Sequence, residues 1–247
     1  MNIANKTILV TGGGSGIGFQ VAKLLSQKGN KVIITGRNEA KLQKAASQLS
    51  NVSSIKADVN DAGDVDSLVA RITTEFGGLD ILVNNAGHAH YYKLGKGVNA
   101  ADKAAEEIQT NYLSVIRLTE KLLPILSKSK EGAIVNVTSI VALVPGINIP
   151  TYSASKAALH SYSQALRFML ASDTNIKVFE LMPPLVNTEF SVAIGGENGI
   201  PPEEVAQGLI EGFENDEYEL HIGKTADIYK LFLSSPEAAL NALNAGR

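Results

Sequence analysis

The sequence predicts an α/β protein, a single domain built on a doubly wound parallel sheet with helices on both faces. Three observations carry this expectation. Short β-branched runs alternate with longer segments of helical period from one end of the chain to the other. The 247 residues, 45% of them hydrophobic, suffice for one sizeable core. No Ser/Pro-rich linker or internal repeat divides them. The domain is therefore expected to span residues 1–247, with a candidate substrate lid at 189–202 whose most loop-like part is GGENGIPP, residues 195–202.

Strands are expected at 7–11, 31–35, 54–57, 80–84, 133–138, 177–182 and 219–222. The first helix opens at Gly16 and places Ile17, Val21, Leu24 and Leu25 on one face; Lys28 and Gly29 close it with a cation and a C-terminal glycine. Longer helical periods run over 100–126 and 152–171.

Charge and composition narrow the function. The 22 basic and 25 acidic residues leave a net charge of -3, the wrong sign for binding nucleic acid or an anionic membrane, so the expected partner is a small molecule. The absence of cysteine excludes disulfides, thiolate metal sites and cysteine nucleophiles. The first glycine follows a strand-like run of only five residues, so no export signal or membrane span is expected and the cytoplasm is the expected address.

The first chemical motif is Thr11-Gly12-Gly13-Gly14-Ser15-Gly16-Ile17-Gly18, at a strand end and opening a helix. Free N–H groups and the dipole at a helix N-terminus favour a pyrophosphate, and glycines let the backbone approach it. The strict G-x-G-x-x-G spacing fails, because Ile17 stands where the third glycine belongs; the spacing is G-x-x-x-G-x-G. A P-loop fails as well, since Phe19 and Gln20 replace the required Lys and Ser/Thr. On this motif alone, a purely structural glycine turn stays open. The second motif, Tyr152 and Lys156, puts two side chains four residues apart on one helix face, about 5 to 6 Å apart at the β-carbons. A nearby ammonium favours the phenolate, and lowering a tyrosine pKa from about 10 to about 7 takes roughly 4 kcal/mol. An isolated Y-x-x-x-K is more often a half-buried tyrosine beside a solvated lysine. Thr35-Gly36-Arg37 ends the second strand. An acidic residue there would accept from ribose hydroxyls; Gly36 cannot, whereas the Arg37 fork suits a 2′-phosphate. NADP(H) is therefore the expected cofactor.

Together with Asp58-Val59, Asn84-Asn85-Ala86-Gly87, Asn111 and Ser139, these motifs resemble the short-chain dehydrogenases/reductases over nearly the whole chain, in order and spacing. The tail from MPPLVNTEF through IPPEEVAQGLIEGF and YELHIGK is similar to the DltE-type oxidoreductases within that family. The resemblance implies a Rossmann-like fold and reversible hydride transfer between a nicotinamide and a carbonyl or secondary alcohol. It makes Tyr152 the proton donor and gives Lys156 a second role on the nicotinamide ribose. Ser139 would hydrogen-bond the substrate oxygen, and Asn111 would hold a water beside Lys156. It assigns Gly12, Ser15, Gly16, Ile17 and Gly18 to the dinucleotide turn and Asp58 and Val59 to the adenine. Asn85, Ala86 and Gly87 go to the central region of the cofactor, and Val186 and Thr188 to the nicotinamide carboxamide. Pro184 departs from the usual Pro-Gly pair and removes an N–H from that last loop.

Val141, Leu143, Val144, Ile147, Leu185 and Phe190 are expected to form a mostly apolar wall, which suits a hydrophobic or aromatic ketone or aldehyde. A hydroxy acid and a sugar-derived or lipid carbonyl remain open. His88 and His90 have no third ligand nearby in the sequence, so no metal is expected, and His160 and His221 show no partner pattern. The absence of a G-x-S-x-G elbow argues against a hydrolase. A dinucleotide sensor without turnover is the competing class, and the tyrosine, lysine and serine argue against it. A sugar-nucleotide epimerase would normally need a longer substrate domain after the carboxamide loop. A homo-oligomer, dimer or tetramer, is expected through the helices carrying Asn111 and Tyr152, with Ile116, Leu123, Leu159 and Leu166 as added surface.

Overall fold

The computed structural model describes residues 1–246. Its strands are β1 (Thr7–Thr11), β2 (Lys31–Gly36), β3 (Val52–Lys56), β4 (Ile81–Asn84), β5 (Ala133–Val137), β6 (Lys177–Met182) and β7 (Glu219–His221). They form one sheet in the order β3-β2-β1-β4-β5-β6-β7, with every pair parallel. The helices are α1 (Gly16–Gln27), α2 (Glu39–Ala46), α3 (Ala62–Phe76), α4 (Ala100–Ile108), α5 (Ser114–Leu126), α6 (Pro150–Asp173), α7 (Pro202–Asn215), α8 (Lys224–Ser234) and α9 (Pro236–Asn244).

Strand period sorts the core into two layers. Ile8, Val10, Ile34, Val83, Val135 and Phe179 face α1, α2 and α7, whereas their neighbours Leu9, Ile33, Leu82, Ile134 and Val178 face α3, α5 and α6. A sheet covered on both faces must be apolar on both, which is why these strands read as continuous hydrophobic runs. β3 begins two residues before its expected start, because Val52 and Ser53 pair with Val32 and Ile33 at the sheet edge.

The expected helix over 100–126 is two helices joined by a π-helical turn, Gln109–Leu113, with Asn111 in the turn. Such turns insert a residue and re-aim side chains, often at functional sites. The segment at 189–202 is not open loop. It holds two 3-10 turns, Glu189–Ile194 and Gly196–Asn198, and returns to the fold through a bridge between Val186 and Ile200. Leu159 and Leu166, expected to add oligomer surface, are instead buried within their own chain, Leu166 because α6 turns that side toward the core beneath the sheet. The exposed apolar residues of these helices are Leu113, Phe168 and Met169. Among the described residues no helix is long and apolar enough to cross a membrane.

The strand order reverses between β1 and β4, and parallel α/β sheets open a crevice there at the carboxyl ends of the strands. Thr11, at the end of β1, ties the two strands together: its hydroxyl oxygen accepts from the backbone N–H groups of Asn85 and Ala86, both at 2.9 Å.

Candidate active site

A cavity of about 570 Å³ occupies that crevice. Gly12, Ser15, Gly16 and Ile17 line it where β1 turns into α1. Gly12 (φ +64°) and Gly16 (φ +55°) hold left-handed backbone that a side chain would strain, and a β-carbon on Gly12 would stand 3.0 Å from Asn85 Nδ2. Ser15, the N-cap of α1, is extended and makes no side-chain cap, so the first N–H groups of the helix are left to the cavity. These residues fit a dinucleotide: a bare helix N-terminus and a side-chain-free cradle are what a pyrophosphate needs. Gly18 does not line the cavity; its α-carbon packs under Gly12 and the Asn85 amide.

Asn85, Ala86 and Gly87 continue the lining after β4. The Asn85 amide donates to the carbonyls of Thr11 (2.8 Å) and Gly12 (3.3 Å), which locks the glycine turn to the end of β4. Asn111 lies fully buried outside the cavity wall. Its Oδ1 accepts from the N–H of His88, and its Nδ2 donates to the His88 carbonyl and to Ser155 Oγ, each at 2.8 Å. This asparagine therefore clamps the segment after β4 to α6, a structural reason for its place inside a helical run. A β-carbon on Gly87 would lie 3.4 Å from Asn111 Oδ1 and 3.9 Å from Lys156 Nζ, so both groups crowd the same glycine.

Ser139, Tyr152 and Lys156 line the same cavity. Tyr152 and Lys156 project from one face of α6, as their spacing requires, and Ser139 caps the 3-10 turn Ile140–Ala142 beyond β5. Lys156 Nζ donates to the Val137 carbonyl at 2.7 Å and stands 5.7 Å from the centre of the Tyr152 ring. Burial lowers the Lys156 pKa to about 8, against the pull of the Glu180 carboxylate. Burial also raises the Tyr152 phenol well above its ordinary value; the Ser139 hydroxyl beside it lowers it, and the charge of Glu107 raises it further. The lowering expected from Lys156 together with a cationic nicotinamide ring is not among these causes. Desolvation is the largest of these effects and favours the neutral phenol.

The loop after β6 closes the cavity. Pro183, Pro184, Val186 and Thr188 line it, and Thr188 lies against Gly16 at the cradle. Ser191 donates to the Val186 carbonyl, and an ion pair between Lys41 and Glu189 joins α2 to the turn above the crevice. Of the expected wall, Val141, Leu185 and Phe190 line the cavity, whereas Leu143, Val144 and Ile147 do not. The 3-10 turn after Ser139 presents Ile140 and Val141 and carries the following residues away, leaving Ile147 exposed. Ile149, Ile194, Ile228 and Leu243 complete the wall instead. The last two come from α8 and α9, held in place by Asn244, whose side chain bonds Ile147 N–H (2.9 Å) and the Pro145 carbonyl (3.0 Å). No motif marks these distant residues.

Arg37, Asp58 and Val59 also lie outside the lining. Arg37 is exposed just beyond β2, and among the described residues no ion pair or hydrogen bond occupies its guanidinium. Asp58 Oδ1 accepts from Asn60 N–H at 2.9 Å, and Val59 is buried beyond β3. All three follow strand ends on the β1 side of the crevice.

Three histidines acquire partners that sequence order concealed. His160 Nδ1 sits 2.9 and 3.0 Å from the buried Glu180 carboxylate, which also accepts from Thr138 Oγ1 at 2.7 Å. His88 and His90 meet Glu106 of α4.

Fold and site together define an oxidoreductase-type α/β protein with a crevice suited to a dinucleotide. The chain belongs to the short-chain dehydrogenase family, whose model matches residues 6–198. It is 38% identical over 225 residues to the uncharacterized oxidoreductase DltE of Bacillus subtilis (strain 168), covering 89% of each chain. It is 33% identical to an uncharacterized oxidoreductase of Staphylococcus aureus (strain USA300), covering 84% of this chain and 90% of the relative. Two solved structures share the fold: a short-chain dehydrogenase/reductase from Burkholderia phymatum in complex with NAD, at TM-score 0.88 and 20% identity over 96% of each chain; and a short-chain dehydrogenase from Burkholderia cenocepacia in complex with NADP, at TM-score 0.87 and 24% identity over the full length of both.

Proposed function

We propose that the protein is an NADP(H)-dependent carbonyl reductase acting on apolar or aromatic ketones or aldehydes, with the secondary alcohol oxidised in reverse. The observation that carries this reading is the placement of Tyr152 with Ser139 and Lys156 in one cavity continuous with the glycine cradle. A nicotinamide dinucleotide bound here supplies or accepts the hydride. Tyr152 gives its phenolic proton to the carbonyl oxygen as negative charge builds there. The Ser139 hydroxyl donates to the same oxygen, a stabilisation worth most in a dry site. The Lys156 ammonium stabilises the phenolate left behind. Ile140, Val141, Ile149 and Leu243 exclude water and favour an apolar substituent.

Gly12, Ser15, Gly16, Ile17 and Gly18 would shape the pyrophosphate site. Asp58 and Val59 would flank the adenine, Asn85, Ala86 and Gly87 the centre of the cofactor, and Val186 and Thr188 its carboxamide end. Asn111 would act as a positioning residue through His88 and Ser155. The segment at 189–202 would serve as the substrate lid. The proposed setting is cytoplasmic, in keeping with a chain free of cysteine. The proposed assembly is a homo-oligomer formed on Leu113, Phe168 and Met169, of which Phe168 is 80% exposed.

Tyr152→Phe tests the chemistry. Reduction of an aromatic ketone with NADPH should fall by at least about a thousandfold, within the range for loss of a positioned acid, while NADPH affinity stays within a few-fold. Single-turnover hydride transfer at a near-normal rate in this variant would overturn the assignment.

A further inference from the structure

The Nε2 atoms of His88 and His90 stand 3.0 Å apart, with Oε2 of Glu106 at 2.8 Å from the second and 3.5 Å from the first. Two imidazole nitrogens and a carboxylate oxygen thus converge on one small volume. Either an Nε2–H tautomer of one imidazole, donating to its neighbours, or a metal ion bound by all three atoms satisfies such a cluster. The spacing matches a metal: ligands at about 2.0 to 2.1 Å from one tetrahedral zinc lie roughly 3.3 Å apart. The edges of this triangle bracket that value.

The rest of the cluster is built to hold the geometry. The backbone of His88 is clamped on both sides by Asn111, and the N–H of His90 donates to Glu107 Oε1 at 2.6 Å. Glu106 and Glu107 are neighbours on α4, so one helix supplies a ligand and the anchor for the opposite ligand. The two imidazoles meet edge to face, with centroids 4.5 Å apart, which turns both Nε2 atoms toward Glu106 without stacking the rings. His90 is largely shielded, with 24% of its side chain exposed, whereas Glu106 is 62% exposed, so one side of the triangle opens to solvent.

We propose that His88, His90 and Glu106 form a site for a zinc-class divalent ion next to Gly87 of the catalytic cavity lining, with water or a small anion in the fourth position. Two imidazoles and one carboxylate select borderline transition metals over calcium or magnesium, which require more oxygen ligands. Bound metal cross-links the segment after β4 to α4 one residue beyond Gly87, and through Asn111 it stiffens the wall next to Lys156. The site does not depend on the proposed substrate or on turnover.

The test uses the full chain, stripped with a chelator and titrated with zinc chloride against a chromophoric chelator. The expected result is one zinc per chain with sub-micromolar affinity and a thermal midpoint that rises with added zinc. Cobalt(II) in its place should show the visible d–d absorption of a four-coordinate site. Glu106→Gln, a change at an exposed side chain, and His90→Ala should each weaken zinc at least tenfold and abolish the thermal shift, while His160→Gln leaves both unchanged. Far-UV circular dichroism checks that the variants are folded. Absence of saturable binding by the wild type at micromolar zinc would overturn the proposal and leave a shared proton at the centre. Binding that survives both ligand substitutions would overturn it equally.

Discussion

Two glycines of the same motif should respond to alanine very differently, one with a large loss and one with almost none. A β-carbon on Gly18 would stand 2.5 Å from Asn85 Nδ2 and 2.6 Å from the Gly12 carbonyl oxygen, whereas one on Gly14 would meet Leu42 Cδ2 at an ordinary 3.5 Å. In Gly18→Ala the clash falls on groups that cannot yield singly, because the Asn85 amide is bonded to the carbonyls of both Thr11 and Gly12. Overpacking of this kind costs roughly 1 to 3 kcal/mol, and each hydrogen bond lost adds about 0.5 to 1.5 kcal/mol. Alanine returns about 1 kcal/mol through its helix propensity near the start of α1. The net expectation is a loss of roughly 2 to 3 kcal/mol, with dinucleotide affinity weakened at least tenfold as Gly12 shifts. Gly14→Ala should stay within about 1 kcal/mol of wild type, since its φ is not left-handed and alanine reduces the freedom of the unfolded chain. Urea unfolding of the three proteins, with NADPH titration followed by fluorescence, measures both effects. Equal stability of Gly18→Ala and wild type, or equal damage from the two substitutions, would refute the steric reasoning.

Three further outcomes follow from charge. Lys156→Met should abolish turnover yet stabilise the fold at pH 7: with the ammonium lowered from 10.5 to about 8, its burial costs up to about 3 kcal/mol, offset in part by the lost bond to Val137. The folded state binds this proton less tightly than the unfolded chain, so the cost is complete below pH 8 and fades toward the ordinary lysine range; a stability difference that does not shrink on raising the pH would contradict it. His160 has its pKa raised, chiefly by its bond to Glu180, so its contribution to stability is complete below the ordinary imidazole range and is lost as pH rises through the folded value. The stability gap between wild type and His160→Gln should therefore narrow with rising pH, and a gap that widens would show that the pair has no such role. Arg37→Leu should reduce the ratio of kcat/KM for NADPH over NADH by roughly 10-fold to 150-fold, the value of a charge-assisted contact to a phosphate, and an unchanged ratio would remove Arg37 as the reader of the 2′-phosphate.

The layered architecture was legible along the chain because strand and helix periods are local. Ile8 to Val10 and Ile33 to Ile34 announce a doubly covered sheet from their own side chains, and Gly12, Gly16, Tyr152 and Lys156 sit at spacings that a single turn of backbone enforces. Short-range geometry needs no knowledge of distant partners. The same holds for the order of the motifs, which placed the chain in its family. Folding added what depends on segments far apart in sequence. Ile228 and Leu243 reach the cavity because α8 and α9 fold back over Ser139, and nothing in their own composition separates them from ordinary apolar helix positions. Leu159 and Leu166 share a helix with exposed Phe168 and Met169, and packing against the sheet sorted them inward. Tyr152 carries the same phenol in any context, but the depth of its burial, with the charge of Glu107 added, raises its pKa. His88 and His90 gained a third partner from Glu106, 16 residues beyond His90 along the chain, because Asn111 and Glu107 hold the segment after β4 against α4. Burial, electrostatics and convergence are sums over neighbours in space, and the chain supplies those neighbours only once it is folded.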